Sequence, residues 1–368
     1  MIVSPIDRLS TAHLDDWIAC RDADPAFDSP YFHPGFATAV HRTGHEVQVA
    51  VEVDAGGRGR AFLPVHRRGS LATPVGSPAA DFQGPVRASD ATVALTGLMV
   101  ALRVQRLAFD HVPATANGFA PWTRTTCPSP FMDVSGGMDG YLSRASRSGR
   151  DNMGQARRRT RKAERDLGAV EFHADSDDPA LLDRVIDLKR GQYAATGAKD
   201  YFTDPRHVRL LHELLSTREE GFRGSLSAVF AGGQLVAAHF GLRSAGVLHW
   251  WFPVYEPDLS AFAPGWILLR ELVTAAPELG LVRIDLGRGT DEYKRRAMTG
   301  ATDVAQGTVT VGATSRAVQR VRSAAITGVR NSPAAPALRQ GIRLLRQLRS
   351  TGGQTSARSG ARQSFRTI

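Results

Sequence analysis

The segment Leu248–Met298 concentrates side chains that could support group transfer. Pro264 and Gly265 stand directly before a helical run, and proline is favoured in the first turn of a helix because its missing N–H costs nothing there. The helix start then offers free backbone N–H groups and the positive end of the helix dipole, which bind phosphate or carboxylate groups. With Trp266, these two residues are predicted to bind an anionic co-substrate.

Three polar residues follow this helix and are predicted to be catalytic. Asp285 ends a short apolar strand, where burial can raise the pKa of a carboxyl group and make it a base; a structural acceptor for backbone N–H groups or for Arg288 is the alternative. Tyr293 could protonate a leaving group or pack on a tryptophan. Lys294 could bind a phosphate or carboxylate, or form a surface ion pair with Asp291.

Four further residues are predicted to contact the acceptor substrate, namely Tyr255, Trp250, His239 and Arg288. Two of them have an alternative structural explanation. Trp250 could belong to an aromatic core, and His239 lies among apolar strand residues, where a histidine is more often hydrogen-bonded in the core.

Other chemistries find no support in the sequence, and no metal is expected. Cys20 and Cys127 are the only cysteines, which excludes a disulfide framework and a Cys-rich zinc site. His207 and His212 are five residues apart and would diverge on a helix, so they make a poor metal pair. The chain has no HExxH motif, no phosphate-binding Walker loop and no nucleophile elbow.

The elements that must position these residues predict an α+β fold. Residues 224–231, 234–243 and 246–254 form three strands of a meander, a helix spans 264–276, and a short buried strand covers 282–286. In the first half, residues 46–53 alternate in polarity and 60–66 form the return strand of a hairpin, with Pro64 at an edge or bulge.

The second-half segment resembles the GNAT-superfamily domain of the CelD/BcsL-type acyltransferases, which are related to the FemAB peptidoglycan aminoacyltransferases. The resemblance rests on residues in a fixed order over positions 25–300. They are Ser29-Pro30-Tyr31-Phe32, Phe36, Pro64, Asp81, Gly84-Pro85, Arg157–Arg165, Leu188, Tyr255, Pro264-Gly265, Leu268-Leu269, Asp285-Leu286-Gly287, Gly289 and Tyr293-Lys294.

This resemblance implies two tandem GNAT-like domains, each a mixed, mainly antiparallel sheet with packed helices. The expected division is an N-terminal domain over 1–140, a basic linking helix over 141–175, a catalytic domain over 176–312 and an Arg-rich tail over 313–368. The implied reaction moves an acyl group from acyl-CoA to an amine or hydroxyl of a cell-envelope, polysaccharide or small amino-metabolite acceptor. The segment Ser260–Gly265 departs from the usual Q/R-x-x-G-x-G/A donor loop, since it has one glycine and one proline.

Two alternatives therefore stay open. One is a FemAB-like transferase that uses aminoacyl-tRNA, and the other is a non-catalytic double-GNAT scaffold that binds a polyanion or an anionic membrane.

The basic residues have two locations. The net charge is +10, yet residues 1–303 carry 35 basic against 36 acidic side chains, and the tail holds eleven arginines and no acid. Residues 336–350 of the tail form an amphipathic basic helix on a helical wheel, which could lie on an anionic membrane or pack on the domain. The helix over 141–166 carries nine basic residues and is either a polyanion contact or a solvated linker.

No leader or membrane-spanning run is evident, so a cytoplasmic protein is expected, with peripheral membrane association through the tail.

Overall fold

One mixed sheet runs through the computed structural model, which describes residues 1–116, 118–219 and 221–312. Thirteen strands form this sheet. They are β1 Ile2–Pro5, β2 Gln48–Val53, β3 Gly59–Arg68, β4 Leu71–Pro74, β5 Val86–Arg87, β6 Arg106–Pro113, β7 Thr123–Asp133, β8 Val170–Ser176, β9 Phe222–Ala231, β10 Gln234–Ser244, β11 Val247–Tyr255, β12 Arg283–Asp285 and β13 Gly300–Thr310.

Nine α-helices of the described residues cover the two faces of the sheet. They are α1 Thr11–Asp22, α2 Pro34–Arg42, α3 Leu95–Ala101, α4 Gly137–Arg144, α5 Arg147–Leu167, α6 Pro179–Thr196, α7 Pro205–Ser216, α8 Pro264–Ala275 and α9 Glu292–Ala297.

Alternating side chains on the strands divide the core into layers. One layer joins α1, α2, α6 and α7 to strands of both halves. On the opposite face, a second layer joins α4, α5, α8 and α9 to the second half, and a third surrounds α3 in the first half. Helices cover both faces of a mainly antiparallel sheet, and the two halves are built alike. The predicted α+β fold class is therefore confirmed.

The two halves of the sheet are interleaved. The strand order is β1-β2-β3-β4-β6-β13-β7-β12-β11-β10-β9-β8, and β5 pairs with β3. The late strand β13 therefore lies between β6 and β7 of the first half, and β7 pairs with β12 of the second. Because of this exchange, Met1–Val311 is one compact unit with a continuous sheet, where the sequence suggested two separate layers. The predicted domain boundaries stay predictions, and the predicted tail lies outside the described residues.

Most predicted elements of the second half are confirmed, with small shifts at their ends. The meander corresponds to β9, β10 and β11, and the helix after Pro264 is α8. The predicted basic helix is in fact two helices, because Ser146 caps a new one by accepting a hydrogen bond from the backbone N–H of Gly149 at 3.2 Å. Pro64 pairs with Val49 of β2, and on the other side of β3 it falls between the residues that pair with β5 and those that pair with β4.

One arginine of β12 joins the two halves. The guanidinium of Arg283 donates to Asp28 of the first half at 2.6 Å and to Asp285 at 2.9 Å. Asp285 is 3% exposed. Burial raises its pKa to about 6, although Arg283 acts in the opposite direction.

The described helices include none that is both long enough and apolar enough to cross a membrane.

Replacement of Arg283 tests this bridge. Arg283→Met should lower the free energy of unfolding by about 3 kcal/mol at pH 8, because it leaves the Asp285 carboxylate buried without a cation. The loss should be smaller at pH 5, since a carboxyl group with a raised pKa is largely protonated there and needs no partner. Urea unfolding at both pH values measures the difference.

Arg184→Met is the matched control, because Arg184 binds Glu256 through two hydrogen bonds at an exposed position. Its loss should be about 0–1 kcal/mol at either pH. Equal losses in the two variants, or a larger loss at pH 5 for Arg283→Met, would contradict the assignment.

Candidate active site

The second half of the sheet contains a fork. Strands β11 and β12 run parallel and pair over only three positions, Val247–His249 with Arg283–Asp285. Beyond them β11 continues to Tyr255, whereas the chain after β12 turns toward β7, where the Leu286 N–H donates to the Pro130 carbonyl at 2.9 Å. From Trp250 onward, the edge of β11 that faces the fork has no partner among the described strands.

A β-bulge bends β11 at the point where the fork opens. Phe240 of β10 pairs with Phe252 of β11, and Leu242 pairs with His249. An advance of two residues along β10 therefore corresponds to three residues along β11, which contains the extra residue. A bulge of this kind bends its strand and increases its twist. Gly241 lies opposite the bulge, and a Cβ there would be 2.0 Å from the His249 carbonyl oxygen, which only glycine avoids.

His239 supports the bulge and does not contact the cleft. Its Nε2 accepts the backbone N–H of Trp251 at 3.2 Å, and its ring stacks on Trp250 with centroids 4.3 Å apart. The ring is fully buried, which lowers its pKa to about 3 and keeps it neutral. The structural alternative therefore fits His239 better than the predicted contact with substrate.

The fork opens into a cleft of about 630 Å³, bounded by β11, α6, the start of α8 and the residues around Tyr293. Six of the ten predicted site residues line it. They are Trp250, Tyr255, Pro264, Gly265, Trp266 and Tyr293.

The start of α8 has the open geometry that an anion site requires. Ala263 precedes the helix in the left-handed conformation (φ 47°), and no side chain caps the helix. A Cβ added at Gly265 would meet no atom within 4 Å, so the first turn faces open space. The unshielded positive end of the helix therefore points into the cleft.

Tyr293 opens onto the cleft, and Lys294 shapes the loop behind it. Tyr293 is 37% exposed, and surrounding protein together with Asp291 raises the pKa of its phenol, which therefore keeps its proton. The Lys294 ammonium donates to the carbonyls of Gly287 and Arg288 at 3.1 and 3.0 Å. It also lies 3.5 Å from the Asp291 carboxylate, as in the predicted ion pair.

Asp285 and Arg288 have partners elsewhere. Ile284 packs in the layer that contains α8, and the adjacent Asp285 side chain is committed to Arg283. Asp285 does not line the cleft, and the predicted grouping with Tyr293 in one cleft is not what the structure has. Arg288 donates to the Asp110 carbonyl at 2.7 Å and fixes the loop to β6.

Lys189 of α6 lines the cleft and was not predicted. Its ammonium donates to the Pro253 carbonyl at 3.3 Å and to Gln192 at 3.2 Å. Burial, with a smaller contribution from Lys294, lowers its pKa to about 8. Lysines with lowered pKa values are suited to general base catalysis. The sequence offers no motif around Lys189 that signals this environment.

A buried acid–histidine cluster lies beneath the fork and was also missed. Asp81 lies 2.6 Å from His111 Nε2 and 3.4 Å from His249 Nε2. Burial lowers the pKa of His249 to about 4, whereas the two neighbouring aspartates overcome burial and raise that of His111. A Cβ at Gly287 would be 2.5 Å from an Asp81 oxygen, so the cluster fixes the chain just after β12. Asp81, His111 and His249 are far apart in the sequence, so no short motif indicates that they meet.

The basic helix α5 runs beside the start of α8. Arg159 and Arg296 line a groove of about 390 Å³ with Ala263 and Trp266, which belong to the cleft as well. Lys162 lies over the ring of Phe262 at 4.5 Å. Four further α5 arginines are solvent-exposed and have no partner among the described residues; they are Arg157, Arg158, Arg161 and Arg165.

Comparisons with known proteins agree with this geometry. Residues 150–295 match the family model of the acetyltransferase (GNAT) domain. The chain matches no curated protein sequence. Among solved structures, FemX is similar with a TM-score of 0.58 at 10% identity, over 88% of this chain and all of FemX.

Two more structures share the fold. The C-terminal DUF2156 domain of a protein described as a lysylphosphatidylglycerol synthetase, from Agrobacterium fabrum, gives a TM-score of 0.52 at 12% identity, over 86% of this chain and 96% of that one. A conserved protein of unknown function from Bacteroides thetaiotaomicron gives 0.51 at 12% identity, over 80% and 97%.

The identification with the CelD/BcsL type stays a prediction. The non-catalytic scaffold is not supported, because the match covers the cleft and most of α5 and α9. Over residues 150–295 the chain is similar to the GNAT acetyltransferase domain, and the protein is an acyltransferase.

Proposed function

We propose that the cleft binds acyl-CoA and transfers its acyl group to an amine or hydroxyl of the acceptor. The observation that carries this proposal is the combination, in one cavity, of an open strand edge on β11 and an uncapped helix start at Pro264-Gly265. The strand edge can hydrogen-bond an extended amide-containing chain, and the helix start can bind its phosphates.

The groove beside the cleft would extend the phosphate site. Arg159 and Arg296 stand next to Ala263 and Trp266, so a donor whose phosphates lie at the helix start would meet two guanidinium groups just beyond it. Arginine binds phosphate oxygens through paired N–H groups. A single glycine in Ser260–Gly265 is therefore supplemented by side-chain cations.

Two side chains of the cleft would handle the protons. The neutral amine of Lys189 takes a proton from the attacking amine or hydroxyl, the new C–N or C–O bond forms, and the C–S bond breaks. The Tyr293 phenol then protonates the departing thiolate. Lys189 replaces Asp285 as our proposed base, because Asp285 is bound to Arg283 outside the cleft.

The acceptor is proposed only by class: a cell-envelope component, a polysaccharide or a small amino-metabolite. Tyr255, which is 39% exposed, and Trp250 would contact it or the acyl chain at the fork.

A second candidate, transfer from an aminoacyl-tRNA, is favoured by α5. Four of its arginines are exposed and unpaired in the described part of the chain, and none of the four lines the cleft or the groove beside it, so their charge lies outside the proposed acyl-CoA site. A row of cations along a helix of this length can follow a nucleic-acid backbone. The fold shared with FemX agrees with this candidate without distinguishing it from the first.

Two substitutions at Gly265 test the donor site. Gly265→Asp should raise the KM for acetyl-CoA by about tenfold or more, because it places a carboxylate where the phosphates bind. Gly265→Ala adds a methyl group into open space and should leave KM almost unchanged. Release of free thiol from acetyl-CoA, with an amine acceptor mixture, measures both.

An acidic residue in the first turn favours the helix itself, so an intact melting temperature is expected for Gly265→Asp. Identical KM values in the two variants would exclude this helix start as the phosphate site.

The pH dependence of turnover tests Lys189. The rate should rise as pH increases through about 8, where the lowered pKa of Lys189 frees the amine. Lys189→Met and Lys189→Arg should both remove this rise and reduce turnover by about 10²–10⁴-fold. Lys199→Met, at an exposed position, is the control. A wild-type pH profile in Lys189→Arg would rule out the role as base.

The α5 arginines distinguish the two donors. Replacing Arg157, Arg158 and Arg161 together by alanine should weaken tRNA binding and flatten its dependence on salt concentration, because each lost phosphate contact reduces the slope by about 0.7–0.9. The KM for acetyl-CoA should not change. If the wild-type protein binds tRNA no more tightly than the triple variant does, the second candidate fails.

A further inference from the structure

Three possible metal ligands meet where the first half packs against α7, and none of them lines the cleft. His45 follows α2, Asp204 precedes α7 and His207 lies in the first turn of α7. One ligand atom from each lies within 4.8 Å of the others. Ion pairing of Arg42 with Glu213 at 3.0 Å already holds this junction together.

His207 is oriented as a metal-binding histidine usually is. Its Nδ1 lies 2.7 Å from the Tyr201 carbonyl, which can only accept, so Nδ1 carries the proton and Nε2 keeps its lone pair. The Tyr201 ring stacks on the imidazole at 3.9 Å and fixes its plane. A carbonyl behind the imidazole is the common outer support of metal-bound histidine.

His45 has a ligand atom with no other function. Its Nε2 is buried and has no hydrogen-bond partner, and its ring is parallel to that of His207 at 5.4 Å. The imidazole of His45 is therefore free to coordinate a cation through Nε2.

Asp204 supplies the carboxylate, and Arg206 is its partner. Oδ1 caps α7 by accepting the Arg206 backbone N–H at 3.0 Å, and the Arg206 guanidinium donates to both oxygens, with Nε at 3.0 and 3.1 Å and a terminal nitrogen 2.6 Å from Oδ2. A zinc ion would displace this partly exposed guanidinium, and such surface ion pairs contribute little to stability. His66, with its ring 5.8 Å from that of His45, is excluded because the Glu46 carbonyl and the Gly76 N–H occupy its two nitrogens.

We propose that His45, Asp204 and His207 bind one Zn²⁺ ion, with water in the remaining position, and that the ion clamps the segment after α2 to the start of α7. Two imidazoles and a carboxylate suit this borderline cation. Bonds of about 2.0–2.1 Å place tetrahedral ligands about 3.4 Å apart, so small rotations of the side chains close the site. The site could not be predicted from the sequence, because His45 is far from His207 along the chain. The spacing of the histidines indicated only the His207/His212 pair, which is unsuitable.

Zinc binding by the metal-free, full-length protein tests this proposal. Titration calorimetry with ZnCl₂ should show one ion per chain. His45→Ala and His207→Ala should each weaken binding by about 100-fold or more, since even outer-shell changes cost about 10–100-fold. His212→Ala is the matched control on the same helix, because among the described residues His212 hydrogen-bonds to Asp183 alone, at 2.9 Å, and its loss should not affect affinity.

Two surface variants keep the test independent of folding. Asp204→Asn preserves a good helix cap, yet should weaken binding by about tenfold or more because it removes the charge. Arg206→Gln should tighten binding, because it removes a competing cation from the carboxylate. Zinc should also raise the melting temperature of the wild-type protein and not that of His207→Ala. No bound zinc, or equal affinity in His45→Ala, His207→Ala and His212→Ala, would overturn the proposal.

Discussion

Backbone hydrogen bonding between β7 and β12 is the constraint on which the site depends. Buried N–H and carbonyl groups must be paired, so a strand can leave its neighbour only if the groups it abandons find other partners. The chain after β12 does so at β7, where the carbonyls of Pro130 and Pro128 accept from Leu286 and Gly289. The fork can therefore open on the β11 side while the other side remains fully bonded.

The fork is held open by packing and not by flexibility. Gly241 admits the bulge, His239 accepts the N–H that the bulge displaces, and the Asp81 cluster holds the chain at Gly287. A site supported in this way keeps its geometry before any ligand binds, which reduces the ordering needed on binding. The residues that position the cleft thus come from both halves of the chain.

The elements of the second half could largely be predicted, because turns and helix starts are visible in short stretches of sequence. Glycine-containing turns between three strand-like runs predicted β9 to β11, and the Pro264-Gly265 pair predicted the start of α8, which is part of the cleft lining. Strand β7 was not predicted, because Pro128 and Pro130 argue against an interior strand. In the structure, the carbonyls of these two prolines accept hydrogen bonds from the chain after β12. The partner of Asp285 could not be predicted, because a buried strand-end carboxylate looks the same in sequence whether it meets substrate or an arginine. Lys189 and Asp81 are brought to the site by tertiary packing alone.

The interleaved strand order also has a consequence for synthesis on the ribosome. Strand β13 is translated after the other twelve strands of the described residues, yet its place is between β6 and β7. Until it emerges, the nascent chain exposes two unpaired strand edges, which are templates for association with other chains. Completion of the fold therefore waits for residues 300–310, and chaperone protection matters most in the interval before they leave the exit tunnel.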